Sequence, residues 1–187
     1  MIALPDLDEM LARIARHDPV LRDTGSGFRA ATALILTREA DPRMLVIERA
    51  TRDGDRWSGH AALPGGKHDP TDPDILHTAR RETQEEVGID LAEPVGRLDD
   101  LGGRSNMGVV STFVFTLEQA VVPIPEPGEV AAALWVPVRV LVDPASRGRH
   151  PSRRIGPWPA FVHEHLVIWG LTHRTLTGFA AIAGLGD

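Results

Sequence analysis

Three glutamates, Glu82, Glu85 and Glu86, fall three and four residues apart in a segment that reads as a helix. That spacing brings side chains onto one helical face. Unpaired carboxylates so placed repel one another, at roughly 0.2–0.5 kcal/mol per pair on an exposed helix. A hard divalent cation turns the repulsion into binding: Mg²⁺ and Mn²⁺ take oxygen ligands, and Mg²⁺ is commonly shared between carboxylates and substrate phosphates. The bland alternative is a solvated helix with a charged outer face. It accounts for the glutamates, but not for the Pro64-Gly65-Gly66 turn in front of them or for Gly88 behind. Glycines in such a turn let backbone approach a metal or a phosphate closely.

The elements that must position these groups can be read around them. Asp72 is expected to cap the helix and Pro73 to take its first position, where a missing N–H costs nothing. The helix is expected to run to Val87 and stop at Gly88, a residue suited to a left-handed cap. Leu76, Ala79, Thr83 and Val87 form the stripe that faces the core, which turns the glutamates toward a cleft.

The whole stretch Leu63–Asp90 resembles the Nudix box, G-x5-E-x7-R-E-U-x-E-E-x-G-U, where U is a bulky aliphatic residue. Arg81-Glu82-Thr83-Gln84-Glu85-Glu86-Val87-Gly88-Ile89 matches its second half, with Thr83 where an aliphatic is usual. The first half departs. Asp72 stands for the first glutamate, and eight residues rather than seven separate it from Arg81. The resemblance implies an α/β Nudix fold, an α/β/α sandwich with a mixed β-sheet, formed by residues 1–187 as one domain with its box at about 65–89. It implies Mg²⁺ or Mn²⁺ held by Glu82, Glu85, Glu86 and Gly66, and an Arg81 that holds the glutamates by ion pairs rather than serving as a plain surface salt bridge. Gly65 and Gly88 are the structural glycines of the box. The reaction implied is hydrolysis of a diphosphate linkage in a nucleoside diphosphate derivative.

The segment before the box is similar to that of the coenzyme A diphosphatase branch of the family, which favours His-x-Gly-Gln-Val-Ala-Phe-Pro-Gly-Gly. Gly59, Ala62 and Pro64-Gly65-Gly66 agree; Trp57, His60 and Leu63 replace the His, Gln and Phe. Ile168-Trp169-Gly170-Leu171-Thr172 is a second point of similarity, with a Trp-Gly-x-Thr string before the last helix. The branch implies coenzyme A or acyl-CoA as substrate, cleaved to 3′,5′-ADP and 4′-phosphopantetheine. Its rivals are ADP-ribose, a dinucleotide or an oxidised nucleotide, and, in another class, a non-catalytic module that only senses a nucleotide. Candidate substrate contacts are Arg49, Trp57, His60, Arg153 and Arg154. Arg49 meets a phosphate or covers a sheet edge; Trp57 stacks on a ring or packs; His60 acts in the site or makes a structural hydrogen bond. Arg153 and Arg154 belong to a basic loop, Arg147–Arg154, whose guanidinium forks suit a 3′-phosphate. Glu126 and Glu129 are candidates for a general base or a further metal contact, against the reading of solvated loop carboxylates.

Elsewhere the pattern predicts a helix over Leu7–Arg16, with a cap from Asp6 or Asp8. Strands are predicted at Arg29–Leu36, Arg43–Arg49, Val95–Leu101 and Val109–Leu117, with a short helix over Val138–Val142, and Val130 to Pro137 resembles the family's late strand. A last strand is read over Phe161–Trp169, with His163 and His165 on one face, and then a helix from Gly170 to about Ile182. The chain has 187 residues, 42% of them hydrophobic, no cysteine and a net charge of −6. Its length suits one domain with a real core. The charge gives no support to nucleic-acid binding. Without cysteine there is no disulfide framework or thiolate zinc site. Apolar runs fall short of the ~20 residues of a membrane span, and the N-terminus does not read as a signal peptide. The expected setting is cytoplasmic and the expected partner a small nucleotide, with no nucleic acid and no membrane; homodimers occur in the family.

Overall fold

The computed structural model describes residues 4–24, 27–52, 58–102, 108–151 and 157–185. Trp57, Arg153 and Arg154 lie outside them.

A nine-residue strand, β1 (Arg29–Thr37), runs through the centre of a mixed sheet. Helix α1 (Leu7–Arg16) precedes it, and the carboxylate of Asp6 accepts the N–H of Asp8 at its start. β1 pairs along its whole length, in parallel, with β7 (Val109–Leu117). Its other edge is shared: β2 (Arg43–Arg49) joins antiparallel near Leu36, and the short β4 (Gly65–Lys67) joins antiparallel over Ala30–Thr32. β2 carries β3 (Ala61–Ala62) and β8 (Val130–Pro137), while β7 carries β5 (Gly96–Arg97) and β6 (Leu101–Gly102). The predicted single strand over Val95–Leu101 is therefore two short pieces. The backbone between them turns aside, and the N–H of Leu98 donates to Thr112 O and that of Asp100 to Val20 O.

Alternation along the buried strands sorts their side chains to two faces. Ala33, Ile35, Leu45, Ile47, Phe113 and Phe115 pack with Ala79, Val87 and Ile89, from helix α2 (Ile75–Val87) and the residues after it. Leu34, Leu36, Met44, Val46 and Val114 pack on the other face, with Met10 and Ile14 of α1 and Leu176, Phe179 and Ala183 of α3 (Gly170–Ala183). The result is the expected α/β/α sandwich on a mixed sheet.

The C-terminal third departs from the sequence reading. The stretch Arg147–His150 is a strand, β9, rather than part of a loop. The predicted strand over Phe161–Trp169 is a hairpin, β10 (Trp158–His163) and β11 (Leu166–Trp169), and β9, β10 and β11 form a separate three-stranded sheet. Glu164, with φ 52°, makes the left-handed turn. His163 and His165 consequently fall at a strand end and in the turn, and they share no strand face. Val138–Leu141 is a 3-10 turn. Among the described residues, no helix is long and apolar enough to cross a membrane.

The side chain of Phe179 is fully buried between α3 and the sheet. Phe179→Ala is expected to cost about 3–5 kcal/mol of unfolding free energy, read as a lower midpoint in urea at unchanged slope.

Candidate active site

The box helix begins two residues later than its sequence suggests. Asp74 is the N-cap, its carboxylate accepting the N–H of His77 at 2.7 Å, and Pro73 lies outside the helix. Asp72 is withdrawn from the capping role because its carboxylate, with only 2% of the side chain exposed, has stronger partners. The Arg81 fork donates to both of its oxygens, at 2.9 and 3.1 Å, and the Thr78 hydroxyl donates at 2.9 Å. A bidentate guanidinium–carboxylate pair is among the strongest side-chain hydrogen bonds. The arginine holds the Asp72 carboxyl well below the usual range, and Asp72 in turn raises the Arg81 guanidinium. At its far end the helix stops as expected at Gly88, with φ 68° and its N–H donating to Gln84 O. Thr83, the odd residue in the aliphatic stripe, is fully buried; its hydroxyl donates to Ala79 O at 2.7 Å, so its polar atom is satisfied within the helix.

From that anchor Arg81 reaches two of the three glutamates. Nη1 donates to Glu85 at 2.7 Å and Nη2 to Glu82 at 2.9 Å. The expected ion pairs are therefore present among the described residues. They also separate the glutamates. The Glu85 side chain is 52% exposed and turned to Arg81, whereas Glu86 is 2% exposed and faces the glycines of β4.

The expected Pro64-Gly65-Gly66 turn is instead a bend at Pro64 followed by strand β4, because Gly65 and Gly66 pair with β1, and the β4 backbone fits these carboxylates closely. The N–H of Gly65 donates to Glu86 Oε2 at 2.8 Å. A β-carbon at Gly66 would sit 2.4 Å from the Glu82 carboxylate. Gly65 itself has φ 147°, and a β-carbon there would meet Ala31 O at 2.2 Å. Gly65 therefore requires glycine, whereas a side chain at Gly66 would have to push the Glu82 carboxylate aside.

A third carboxylate comes from the turn before β8. Glu129 is tied down by its own carbonyl, which accepts the N–H of Ala50 at 2.8 Å. Arg52 donates to Gly128 O at 2.6 Å and to Glu129 Oε1 at 3.1 Å. Carboxylate oxygens of Glu82, Glu86 and Glu129 lie within 4.8 Å of one another. The loop leading there is docked on the box helix: the N–H groups of Ile124 and Glu126 donate to Val87 O and Glu86 O, carbonyls at the helix end that lack helical partners.

Burial pushes the Glu86 carboxyl up to about 7, and the nearby Glu82 adds to the rise; the Gly65 N–H and the Arg49 charge oppose it. Burial also raises Glu82, against the pull of Arg81. Oxygen donors crowded this closely, with the charge of one suppressed by its surroundings, suit a hard divalent cation. Glu82, Glu86 and Glu129 are the residues that would hold it.

The other expected residues are distributed around this centre. The Arg49 side chain acts electrostatically on Glu86, and its N–H donates to His60 O at 3.1 Å. The His60 ring is turned to Trp169, with centroids 4.7 Å apart. Arg52 and Thr78 escaped the sequence reading. Thr78 lies at helical spacing from Arg81, a usable signal. Arg52 joins Glu129 across 77 positions, and nothing in the sequence ties the two together.

A NUDIX domain model matches residues 27–159 of the chain. An uncharacterised protein of Schizosaccharomyces pombe is 44% identical over 150 residues, covering 72% of this chain and 46% of its own length. The human mitochondrial coenzyme A diphosphatase is 30% identical over 156 residues, covering 74% of this chain and 61% of its own. The chain thus spans about half the length of these relatives. Among solved structures, a NUDIX hydrolase from Alicyclobacillus acidocaldarius superposes with a TM-score of 0.57 at 20% identity, over 83% of this chain and 92% of that one.

The raised Glu86 carboxyl makes a signed prediction for the metal-free protein. Its folded value of about 7 exceeds the ordinary one of about 4.3. The contribution is therefore fully present below pH 4 and is lost as pH rises through 7. Glu86→Gln, which keeps an acceptor for Gly65, should gain about 3 kcal/mol on wild type between pH 4 and pH 8. Denaturant unfolding at the two pH values checks this; an equal difference at both would contradict it.

Proposed function

We propose, for a chain that belongs to the Nudix family, that it hydrolyses a diphosphate linkage in a nucleoside diphosphate derivative, with coenzyme A or acyl-CoA the leading substrate. The observation that carries the reading is the set of three carboxylates, Glu82, Glu86 and Glu129, within 4.8 Å of one another against the glycines of β4. The coenzyme A assignment is supported by the sequence around Gly59–Gly66 and by the likeness to the human coenzyme A diphosphatase.

Mg²⁺ or Mn²⁺, when bound, offsets the phosphate charge and lowers the pKa of a bound water. The chain's own groups do the rest. Glu82 and Glu86 supply ligand oxygens from one helical face, and the Gly65 N–H fixes the orientation of Glu86. Arg81 holds Glu82 from behind and keeps Glu85 in reserve at the rim. Arg49 adds positive charge beside Glu86, where a substrate phosphate gains from it. Glu129, with 45% of its side chain exposed, completes the ligand set from the turn before β8, and one carboxylate of the site takes the proton from the attacking water. Water oxygen attacks one phosphorus, and the bridging oxygen leaves with the other phosphate. In coenzyme A this yields 3′,5′-ADP and 4′-phosphopantetheine. Arg153 and Arg154 are the sequence-based candidates for the 3′-phosphate.

ADP-ribose, dinucleotides and oxidised nucleotides are the alternatives within the same chemistry, because Trp57, His60 and Leu63 depart from the coenzyme A pattern. The test is a panel of coenzyme A, ADP-ribose, a diadenosine polyphosphate and NADH with Mg²⁺ or Mn²⁺. Preferential release of 3′,5′-ADP from coenzyme A is expected, with Glu86→Gln slower by about a hundredfold or more. Undiminished turnover by Glu86→Gln would overturn the site. Preference for another compound would keep the chemistry and discard coenzyme A. Neutralising Arg153 and Arg154 should raise KM for coenzyme A more than for its 3′-dephospho form.

A further inference from the structure

We propose that three rings, His60, His150 and Trp169, form a stacking platform for the nucleobase of the substrate. The proposal rests on the diphosphatase reading and adds where the base sits. The His150 ring lies flat on Trp169, with centroids 3.9 Å apart and planes 6° from parallel. His60 meets Trp169 edge-on at 4.7 Å and His150 at 6.2 Å. The rings come from three separate places: the residue before β3, the end of β9 and the end of β11. All three stay half-buried. A group of rings that served only the core would be apolar and enclosed; this one is two-thirds imidazole and only half-buried.

Its position follows from alternation and from two hydrogen bonds. Ala61 and Ile168 point into the core beneath α1 and α3. Their neighbours His60 and Trp169 therefore project to the other side. The Thr172 hydroxyl donates to Ala61 O at 3.1 Å and ties the start of α3, just after Trp169, to β3. The carbonyl of His60 accepts the N–H of Arg49, whose charge acts on Glu86. The next residue, Ala50, donates to Glu129 O. The platform is thus joined to the carboxylates through a few residues of β2. A nucleoside diphosphate presents a flat ring at one end and its diphosphate one sugar away, which matches this pairing of sites. The His150 ring already covers one indole face, so a base stacks by taking the place of that imidazole on Trp169, whose π-face suits any base. The flexible pantetheine arm offers no such face.

The test uses metal-free protein and two ligands without a diphosphate linkage, AMP and ribose 5-phosphate, with affinities from calorimetric titration. Wild type should bind AMP about tenfold tighter than ribose 5-phosphate. Trp169→Ala should bring AMP to the ribose 5-phosphate level. Trp169→Phe, which restores a ring face, should stay within about threefold of wild type, with thermal unfolding confirming that each variant folds. Equal affinities in wild type would overturn the platform, as would an AMP advantage that survives Trp169→Ala, an equal loss in both variants, or no AMP binding up to about 10 mM. The two readings fail separately. Stacking of AMP without cleavage of any diphosphate would retain the platform and remove the diphosphatase. Cleavage without an AMP advantage would do the reverse.

Discussion

The close approach of the Gly65–Gly66 backbone to the Glu86 and Glu82 carboxylates is the constraint on which the rest of the site depends. β4 is only three residues long, and its pairing with β1 fixes where that backbone lies. The box helix packs Ala79 and Val87 on the same sheet face, which fixes where the glutamates emerge. Gly65 has no room for a side chain against β1, and a side chain at Gly66 would displace Glu82. Any side chain at either position would have to displace a strand or a carboxylate. The site is therefore built from the two layers of the fold rather than from a mobile loop, and its geometry inherits the stiffness of the core.

Charge is arranged around that contact in two opposed ways. On one side the buried Asp72 and the half-buried Arg81 form a satisfied pair, whose ionised states support each other. On the other side Glu86 is buried with one N–H and two like-charged neighbours, and its ionised form is disfavoured. The first arrangement stabilises the helix and orients the ligands. The second costs stability at neutral pH, and a bound cation would relieve it. Natural sites commonly hold such a local cost where function requires it. The extra residue between Asp72 and Arg81 is absorbed here by starting the helix at Ile75, so that Asp72 still reaches the arginine.

The layers and the box were legible because their signals are local. Apolar stripes gave α1, α2 and the two long central strands, and glycine marked the helix stop at Gly88. The Arg81 ion pairs followed from the family resemblance. Three things were not legible. Asp72 looks like a cap, and only its distance from Arg81 in space reveals the stronger partner. Phe161–Trp169 is continuous in β-propensity, and the turn at Glu164 depends on one residue adopting a left-handed conformation that no glycine announces. The choice of Glu129 over Glu126 depends on Ala50 and Arg52, residues remote in sequence whose bonds to the turn form only in the folded chain.

The central claim is that Glu82, Glu86 and Glu129 together hold a divalent cation, and direct Mn²⁺ binding tests it best. Free Mn²⁺ would be followed by electron paramagnetic resonance in titrations of wild type, Glu86→Gln and Glu129→Gln at pH 7.5, without substrate. The account predicts saturable binding by wild type that weakens about tenfold or more in each variant. Binding of equal strength in all three would contradict it and place any cation elsewhere.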